Sequence, residues 1–248
     1  MRIAVAGATG VIGRKLVEAL ERRGIESVPL SRSTGVDVER GTGVDDALAG
    51  VDAVIDVLST PSQSAARATR FFRTTTERLL AAERRAGVGH HIALSIVGVD
   101  DHPMGYYAGK RAQEAAITAG GTPWTILRAT QFHEFAEQMA ERLRVGPVSL
   151  VPEMRTRPVA ASVVADALVD LATSEPVGRA RDLAGPREEW LPDLARKAFA
   201  ARGIRRPLVP LRIPGRAGRA MREGANLPRG DFRSEGPSFD AWLADAAR

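Results

Sequence analysis

The amino-acid sequence predicts an α/β fold in which a doubly wound parallel sheet is followed by a smaller C-terminal lobe. Apolar strand-like runs alternate with amphipathic helical patterns through the first 130 of the 248 residues, an order typical of right-handed βαβ units. A glycine-rich turn joins the first run to the first helical pattern. Beyond residue 130 the alternation loosens, and stretches rich in proline and glycine separate the remaining helical patterns.

The strands are predicted from five apolar runs, which need not alternate with polar residues because helices cover both faces of such a sheet. The runs are 2–6, 26–30, 52–58, 90–97 and 124–129. Helices are predicted between them at about 11–23, 44–49, 62–87 and 105–119. The longest of these has Ala68, Phe72 and Leu79 on one helical face.

The C-terminal part, residues 131–248, is predicted to complete the core begun by residues 1–130 and to form the lobe, as one structural unit. Its helices are predicted at 131–144, 162–173, 189–202 and 238–246. The segment 203–236 is rich in arginine, glycine and proline. We interpret it as a flap that packing partly orders.

Composition excludes several kinds of site and partner. The chain has no cysteine, which excludes disulfides and thiolate chemistry, and its four histidines lack the spacing of a metal site, so no metal is expected. The net charge of +5 comes from basic residues mixed with acidic ones, so no nucleic-acid partner is expected. No apolar run reaches the roughly 18 residues that span a bilayer. The chain opens on a strand without a signal-peptide pattern, so a cytoplasmic location away from membranes is expected.

The glycine turn "GATGVIG" places Gly7, Gly10 and Gly13 in a G-x-x-G-x-x-G pattern between a strand and a helix. Residues without a Cβ let the backbone approach a pyrophosphate closely, and the start of the helix supplies unpaired N–H groups and a favourable dipole. Within a βαβ unit, this pattern predicts a Rossmann-type dinucleotide site.

The end of the second strand, "VPLSRSTG", favours NADP(H) over NAD(H). NAD sites place an Asp or Glu here to bind the free 2′-hydroxyl of the ribose. This sequence offers instead the cation of Arg32 and the hydroxyls of Ser31 and Ser33. Arginine binds phosphate with two parallel hydrogen bonds, so a 2′-phosphate is expected.

A tyrosine and a lysine follow the predicted strand at 90–97. Tyr106 and Lys110 are four residues apart and share a helix face, while Tyr107 is three residues from the lysine and remains an alternative. Ser95 lies near the carboxyl end of the strand, where open α/β sheets bind ligands. A serine, tyrosine and lysine can together reduce a carbonyl, with tyrosine as general acid, lysine lowering its pKa and serine positioning the oxygen.

With these residues in view, the chain resembles an atypical or extended short-chain dehydrogenase/reductase of the NmrA-like NAD(P)H-binding family. The likeness lies in "GATGVIG", "SRS", "DVLST", "LSIVGVD", "YYAGK" and "RATQFHEF". It implies a Rossmann core that binds NADP(H), a variable substrate lobe, and a Y-x-x-x-K pair at Tyr106 and Lys110. The implied cofactor-binding residues, with Gly13 from the turn itself, are Gly7, Thr9, Gly10, Val11, Ile12, Ser31, Arg32, Asp37, Val38, Leu58, Ser59, Thr60, Lys110, Thr130, Gln131 and Phe132.

The sequence therefore predicts an NADPH-dependent oxidoreductase that transfers hydride to a carbonyl of a small apolar or aromatic metabolite. Tyr106 is the expected acid, Lys110 and Ser95 assist it, and His133 and Tyr107 are expected in the substrate pocket. Alternatives are a dinucleotide sensor without catalysis, a quinone reductase that needs no tyrosine, and an epimerase or dehydratase of nucleotide sugars. The sequence leaves a monomer and a homodimer equally open.

Overall fold

The computed structural model describes residues 1–246, and no helix among them combines the length and apolar character needed to cross a membrane. In chain order the elements are β1 (Arg2–Ala6), α1 (Val11–Arg22), β2 (Glu26–Leu30), a 3₁₀ turn (Arg32–Thr34), α2 (Val44–Ala47), β3 (Ala53–Asp56), α3 (Ala65–Ala86), β4 (His90–Ile96), α4 (Gly105–Ala119), β5 (Trp124–Ala129), α5 (Phe135–Arg142), β6 (Arg144–Val145), β7 (Val148–Pro152), β8 (Arg155–Thr156), α6 (Ala161–Ala172), β9 (Gly178–Arg179), β10 (Asp182–Ala184), β11 (Glu189–Trp190), α7 (Leu191–Ala201), β12 (Leu208–Leu211), α8 (Gly215–Arg222), β13 (Phe232–Ser234) and α9 (Phe239–Ala246). Every element predicted in the first 130 residues is present, with small shifts at the ends.

The central sheet has the strand order β2–β1–β3–β4–β5–β10–β13, with β9 as a further partner of β5, and all of these pairings are parallel. Helices α1 and α6 cover one face, and α2, α3 and α4 cover the other. This confirms the predicted Rossmann-type, doubly wound α/β fold. The chain runs from β1 to β2 on one side and returns to β3 on the other, which opens a crevice at the carboxyl ends of β1 and β3.

Two glycines bring helix α4 close to its neighbours. A Cβ on Gly109 would lie 2.7 Å from the ring of Phe72, so α4 packs tightly on α3. A Cβ on Gly105 would lie 2.3 Å from the carbonyl oxygen of Gln63. The first turn of α4, which carries the two tyrosines, therefore lies beside the connection between β3 and α3.

The C-terminal lobe has an apolar cluster of its own, formed mainly by α5, α7, α8 and α9 with strand β7. Leu194, Phe199 and Phe239 are among its buried members. Two small sheets belong to the lobe, one with the order β12–β7–β6 and one formed by β11 and β8.

The arginine-rich segment 203–236 differs from the predicted flap. It forms β12, α8 and β13, and β13 extends the central sheet beside β10. A Cβ on Gly98 would lie 2.0 Å from the carbonyl oxygen of Ala225, so the segment also packs tightly against the loop after β4. The pairing of β13 with β10 and the close approach of Ala225 to Gly98 anchor the segment to the core.

Candidate active site

The glycine turn after β1 lies at the crevice where the sequence predicts a dinucleotide. Gly7 has a φ of +89°, and a Cβ on it would lie 3.0 Å from the carbonyl oxygen of Val57. A Cβ on Gly13 would lie 2.1 Å from the carbonyl oxygen of Gly7, so α1 approaches the turn closely. Gly10 caps α1 without a side chain, and no acidic residue lies in the first turn. The first N–H groups of α1 are thus available to an anion, and this cradle fits a pyrophosphate.

Three neighbours of the glycines differ in their exposure. Thr9 is exposed and Val11 is half-buried, so both can contact a ligand in the cradle. Ile12 is buried in the core together with Leu16. Its side chain supports the turn from below.

The stretch after β2 presents a free cation. The guanidinium of Arg32 is exposed and has no hydrogen bond or ion pair with any residue among 1–246. Ser31 is buried, and its hydroxyl lies 2.8 Å from that of Ser33 within the capping box of the 3₁₀ turn. Asp37 accepts a backbone N–H in a tight loop, and Val38 is buried. Arg32 and Ser33 are therefore the groups open to a phosphate, and Ser31 orders the turn that carries them.

The loop after β3 borders the glycine turn through Val57. The buried carboxylate of Asp56 accepts the N–H of Leu58 at 2.9 Å and fixes the start of the loop. Arg142 of α5 donates a hydrogen bond to the carbonyl of Pro61, so the lobe lies over the loop. The loop's expected ligand contacts are Leu58 and Thr60, which are half-buried, and Ser59, which is exposed.

Tyr106, in the first turn of α4, faces this loop. Its hydroxyl lies 3.2 Å from the hydroxyl of Ser59, and its ring packs edge-on against Phe72 with the centroids 5.6 Å apart. Burial raises the pKa of Tyr106, and the hydrogen bond with Ser59 opposes that rise. Because Ser59 follows Val57 by two residues, the Tyr106 hydroxyl lies on the loop that borders the glycine turn.

Lys110 lies beneath the site. It is buried, and its Nζ donates hydrogen bonds to the carbonyl of Leu94 and to Gln113 Oε1, each 2.8 Å long. The same Nζ lies 4.4 Å from the centroid of the Phe72 ring. Gln113 in turn donates to Asp56 at 2.9 Å. Burial lowers the pKa of Lys110 to about 8 despite the nearby carboxylates. Within residues 1–246 no hydrogen bond joins Lys110 to Tyr106.

Ser95, expected at the end of β4 to position the carbonyl oxygen, is bonded elsewhere in the structure. Its buried hydroxyl donates to Glu114 at 2.5 Å. Glu114 also accepts hydrogen bonds from Arg128 and Arg179, at 2.7 Å and 3.0 Å. Glu114 follows Tyr106 by two helical turns, so the charged cluster holds Ser95 against the middle of α4. The structure thus pairs Tyr106 with Ser59 instead.

Tyr107 is directed into the protein, although the sequence suggested a place in the substrate pocket. It is buried, its hydroxyl donates to Asn226 at 2.7 Å, and its ring stacks on His102 with the centroids 4.1 Å apart. Burial raises the pKa of Tyr107. These contacts tie α4 to the C-terminal segment, which leaves Tyr106 as the tyrosine at the loop after β3.

The residues after β5 are mostly buried. Thr130 donates to the carbonyl of Arg157 at 2.6 Å, and Gln131 accepts from Thr156. Phe132 is half-buried and packs against the main core. His133, expected to face the substrate, is instead packed against Phe239 and Trp242 of α9, because the lobe covers the end of β5. Its Nε2 lies 3.2 Å from the carbonyl oxygen of Pro237. Burial lowers the pKa of His133 to about 4, so it is neutral at pH 7.

Sequence reasoning missed two contributors to this site. Phe72 was expected only as a core residue, yet its ring contacts both Tyr106 and Lys110. Asp56 was not singled out, although a carboxylate inside the apolar run "DAVIDVL" is a signal for a buried polar network. Its partner Gln113 completes that network.

Comparison with known proteins agrees with this geometry. Residues 7–175, more than half of the chain, match the family described as NAD(P)H-binding. The chain therefore belongs to the NAD(P)H-binding family. This match confirms that the chain is an NAD(P)H-binding protein, as predicted, and the similar proteins described next, a reductase among them, agree with the predicted oxidoreductase.

One named protein and two solved structures illustrate what the chain is similar to. A protein of Streptomyces griseus, named (4-alkanoyl-5-oxo-2,5-dihydrofuran-3-yl)methyl phosphate reductase, is 30% identical over 225 residues, which cover 83% of this chain and 75% of the relative. An NADPH-dependent quinone oxidoreductase from Escherichia coli, solved with NADPH, has a TM-score of 0.73 at 16% identity over 99% of this chain and 100% of its own. A short-chain dehydrogenase/reductase superfamily protein from Agrobacterium tumefaciens, solved with NAD, has a TM-score of 0.69 at 19% identity over 100% and 96%.

Proposed function

We propose that the protein is an NADPH-dependent reductase that acts on a carbonyl group of a small apolar or aromatic metabolite. The observation that carries this proposal is the position of the Tyr106 hydroxyl, on the loop that borders the glycine turn. A nicotinamide dinucleotide held by the turn supplies a hydride. Because burial raises its pKa, Tyr106 keeps its proton at neutral pH and can donate it to the oxygen of a reduced carbonyl.

Apolar side chains on α5 and at the start of α4 support the apolar substrate. Met104 lies two residues before the tyrosine, and Phe135 and Met139 lie on α5, the helix that contacts the loop after β3. All three are half-buried and border the apolar cluster of the lobe. Such a wall suits an aliphatic or aromatic ligand with few polar groups.

Arg32 supports the preference for NADPH. Its guanidinium is exposed and unpaired within residues 1–246, on the turn that follows β2. The nearest acidic side chain after this strand, Asp37, is already engaged by a backbone N–H. A 2′-phosphate would find a cation here, whereas a free 2′-hydroxyl would find no carboxylate at the strand end.

A second candidate substrate is a carbonyl compound with a conjugated double bond. The observation that favours it is the Streptomyces griseus relative, whose name gives a (4-alkanoyl-5-oxo-2,5-dihydrofuran-3-yl)methyl phosphate as its substrate. In such a compound the hydride would add to carbon while the carbonyl oxygen gains the charge. The hydroxyl of Tyr106 would then stabilise an enolate oxygen rather than an alkoxide.

The proposal is tested with the purified chain, NADPH and a panel of aryl ketones, quinones and acyl-substituted dihydrofuranones. NADPH oxidation is followed by absorbance, and NMR identifies whether the carbonyl or the conjugated bond is reduced. We expect Tyr106→Phe to lower kcat/KM by about 100-fold or more and to leave the Kd for NADPH within about twofold, because the tyrosine is a general acid.

Two results would contradict the proposal. NADPH binding with no acceptor reduced by any member of the panel would favour the dinucleotide sensor. Turnover that Tyr106→Phe leaves intact would favour a reductase that needs no tyrosine. Tyr107→Phe is the matched control, since its hydroxyl contacts Asn226.

A further inference from the structure

The polar partner of Tyr106 in this protein comes from the loop after β3, not from β4 or from α4. The hydroxyl of Ser59 is 3.2 Å from that of Tyr106, and Ser59 is exposed. Ser95 is committed to Glu114, and Lys110 to Leu94 and Gln113. Of these three residues, therefore, only Ser59 combines contact with the tyrosine and access to solvent.

The ring of Phe72 helps to explain why Lys110 forms no hydrogen bond with Tyr106. It lies 4.4 Å from the Nζ of Lys110 and packs edge-on against the ring of Tyr106. Phe72 is wholly buried on α3, and α3 is held against α4 by the close approach at Gly109. Moving the lysine to the tyrosine hydroxyl would break its buried hydrogen bonds to Leu94 and Gln113, which costs free energy.

We propose that Ser59 is the hydroxyl partner of Tyr106 in the reaction, that it returns a proton to the tyrosine from solvent, and that Lys110 and Ser95 only position helix α4. This inference rests on the proposed reductase function. It gives the chain a two-hydroxyl site, in which Tyr106 and Ser59 together bind the carbonyl oxygen of the substrate.

The proton balance follows from this arrangement. When a hydride adds to the carbonyl carbon, the π pair of the C=O bond moves to the oxygen. The O–H bond of Tyr106 breaks as its proton passes to that oxygen, and the product alcohol forms. The resulting tyrosinate takes the proton of the Ser59 hydroxyl, and Ser59 takes one from a water molecule. The hydride and its electron pair would come from a C–H bond of a bound NADPH, and the water molecule would leave hydroxide in the solvent, so no other oxidant, reductant or base is required.

The chain offers a direct test because Tyr106 and Tyr107 are its only tyrosines. Protein labelled with ¹³C at the tyrosine ζ carbon gives two resonances, which Tyr106→Phe assigns, and each is titrated with pH. The groups that face Tyr106 are the hydroxyl of Ser59, the ring of Phe72 and the neighbouring phenol of Tyr107, with the cation of Lys110 beyond Phe72. We expect Tyr106 to titrate above its ordinary pKa of 10.0.

Three variants at two serines identify the partner of Tyr106. Ser59→Ala removes a hydrogen bond that lowers the pKa of Tyr106, so the Tyr106 resonance should titrate at higher pH, and Ser59→Thr should restore it. Ser95→Ala should leave the resonance where it is. A Tyr106 that titrates below 10.0, or one that responds to Ser95→Ala and not to Ser59→Ala, overturns the proposal.

Turnover separates this inference from the function on which it rests. With the panel of ketones, quinones and dihydrofuranones, Ser59→Ala should lower kcat by about 10- to 100-fold with little change in KM, and Ser59→Thr should recover most of it. Equal kcat for Ser59→Ala and the unchanged protein refutes the proton role of Ser59. Failure of the reductase function shows instead as no turnover by the unchanged protein, while the tyrosine titration still reports on the pairing.

Discussion

His133 should make the stability of the protein fall in mild acid. Its side chain is 1% exposed, and burial lowers its pKa from 6.5 to about 4. In the unfolded chain His133 is therefore protonated near pH 6.5, whereas in the folded chain it stays neutral until about pH 4. The free energy of unfolding lost as the pH falls from 6.5 to 4 is about 3 kcal/mol. At pH 5 the loss should be about 2 kcal/mol.

The variant His133→Phe isolates this effect. Phenylalanine keeps a ring against Phe239 and Trp242, gives up the contact with the carbonyl of Pro237, and cannot take up a proton. Urea unfolding followed by tryptophan fluorescence at pH 7.5 and pH 5 gives the free energies. The variant should lose about 2 kcal/mol less than the unchanged protein between these pH values. Equal losses in the two proteins would refute the reasoning. His102, whose pKa is also lowered to about 4, should contribute the same loss of stability in acid to both proteins.

Three further predictions concern the cradle, the cofactor and the core. Gly13→Ala should lower the free energy of unfolding by about 2–3 kcal/mol, because its Cβ would lie 2.1 Å from a backbone oxygen. Gly10→Ala is the control, since its Cβ would lie 3.3 Å from the same oxygen and its cost should be smaller. Equal costs of the two variants in urea unfolding would contradict the close approach at Gly13. Arg32→Ala should raise the Kd for NADPH about 10- to 100-fold in fluorescence titrations and leave that for NADH unchanged; equal losses for both would refute a phosphate contact. Glu83→Gln should lower stability by about 3 kcal/mol, because the carboxylate forms a wholly buried 2.7 Å pair with His91, and an unchanged unfolding midpoint would contradict that role.

The parallel core could be predicted because each of its signals is local. Strand β3, "AVID", is buried on both faces and apolar in three of its four residues, and the glycine turn has a fixed spacing. The small strands of the lobe had no such signal. Glu189 and Trp190 were placed in a helix, but they pair with β8, and β13 is a strand only because β10 lies beside it. Such short pairings depend on tertiary packing.

The polar partners of the site could not be read from spacing for a related reason. The separation of Tyr106 and Lys110 correctly places both on one side of α4, but it does not say which groups compete for the lysine. Here the carbonyl of Leu94 and the amide of Gln113 hold it. A sequence names the residues that can form a network, and the three-dimensional packing decides which hydrogen bonds are made.

These partner choices divide the residues of the site into two physical groups. Lys110 and Ser95 are buried and hydrogen-bonded to other buried groups, so they hold α4 against β4 and fix the position of Tyr106. Replacing either should lower stability and activity together, because a buried hydrogen bond that holds α4 against β4 is then lost. Ser59 is exposed and Tyr106 is only partly buried, so replacing either should lower activity with little loss of stability. A comparison of unfolding free energies with kcat across these four positions therefore distinguishes the residues that support the helix from those that contact the substrate.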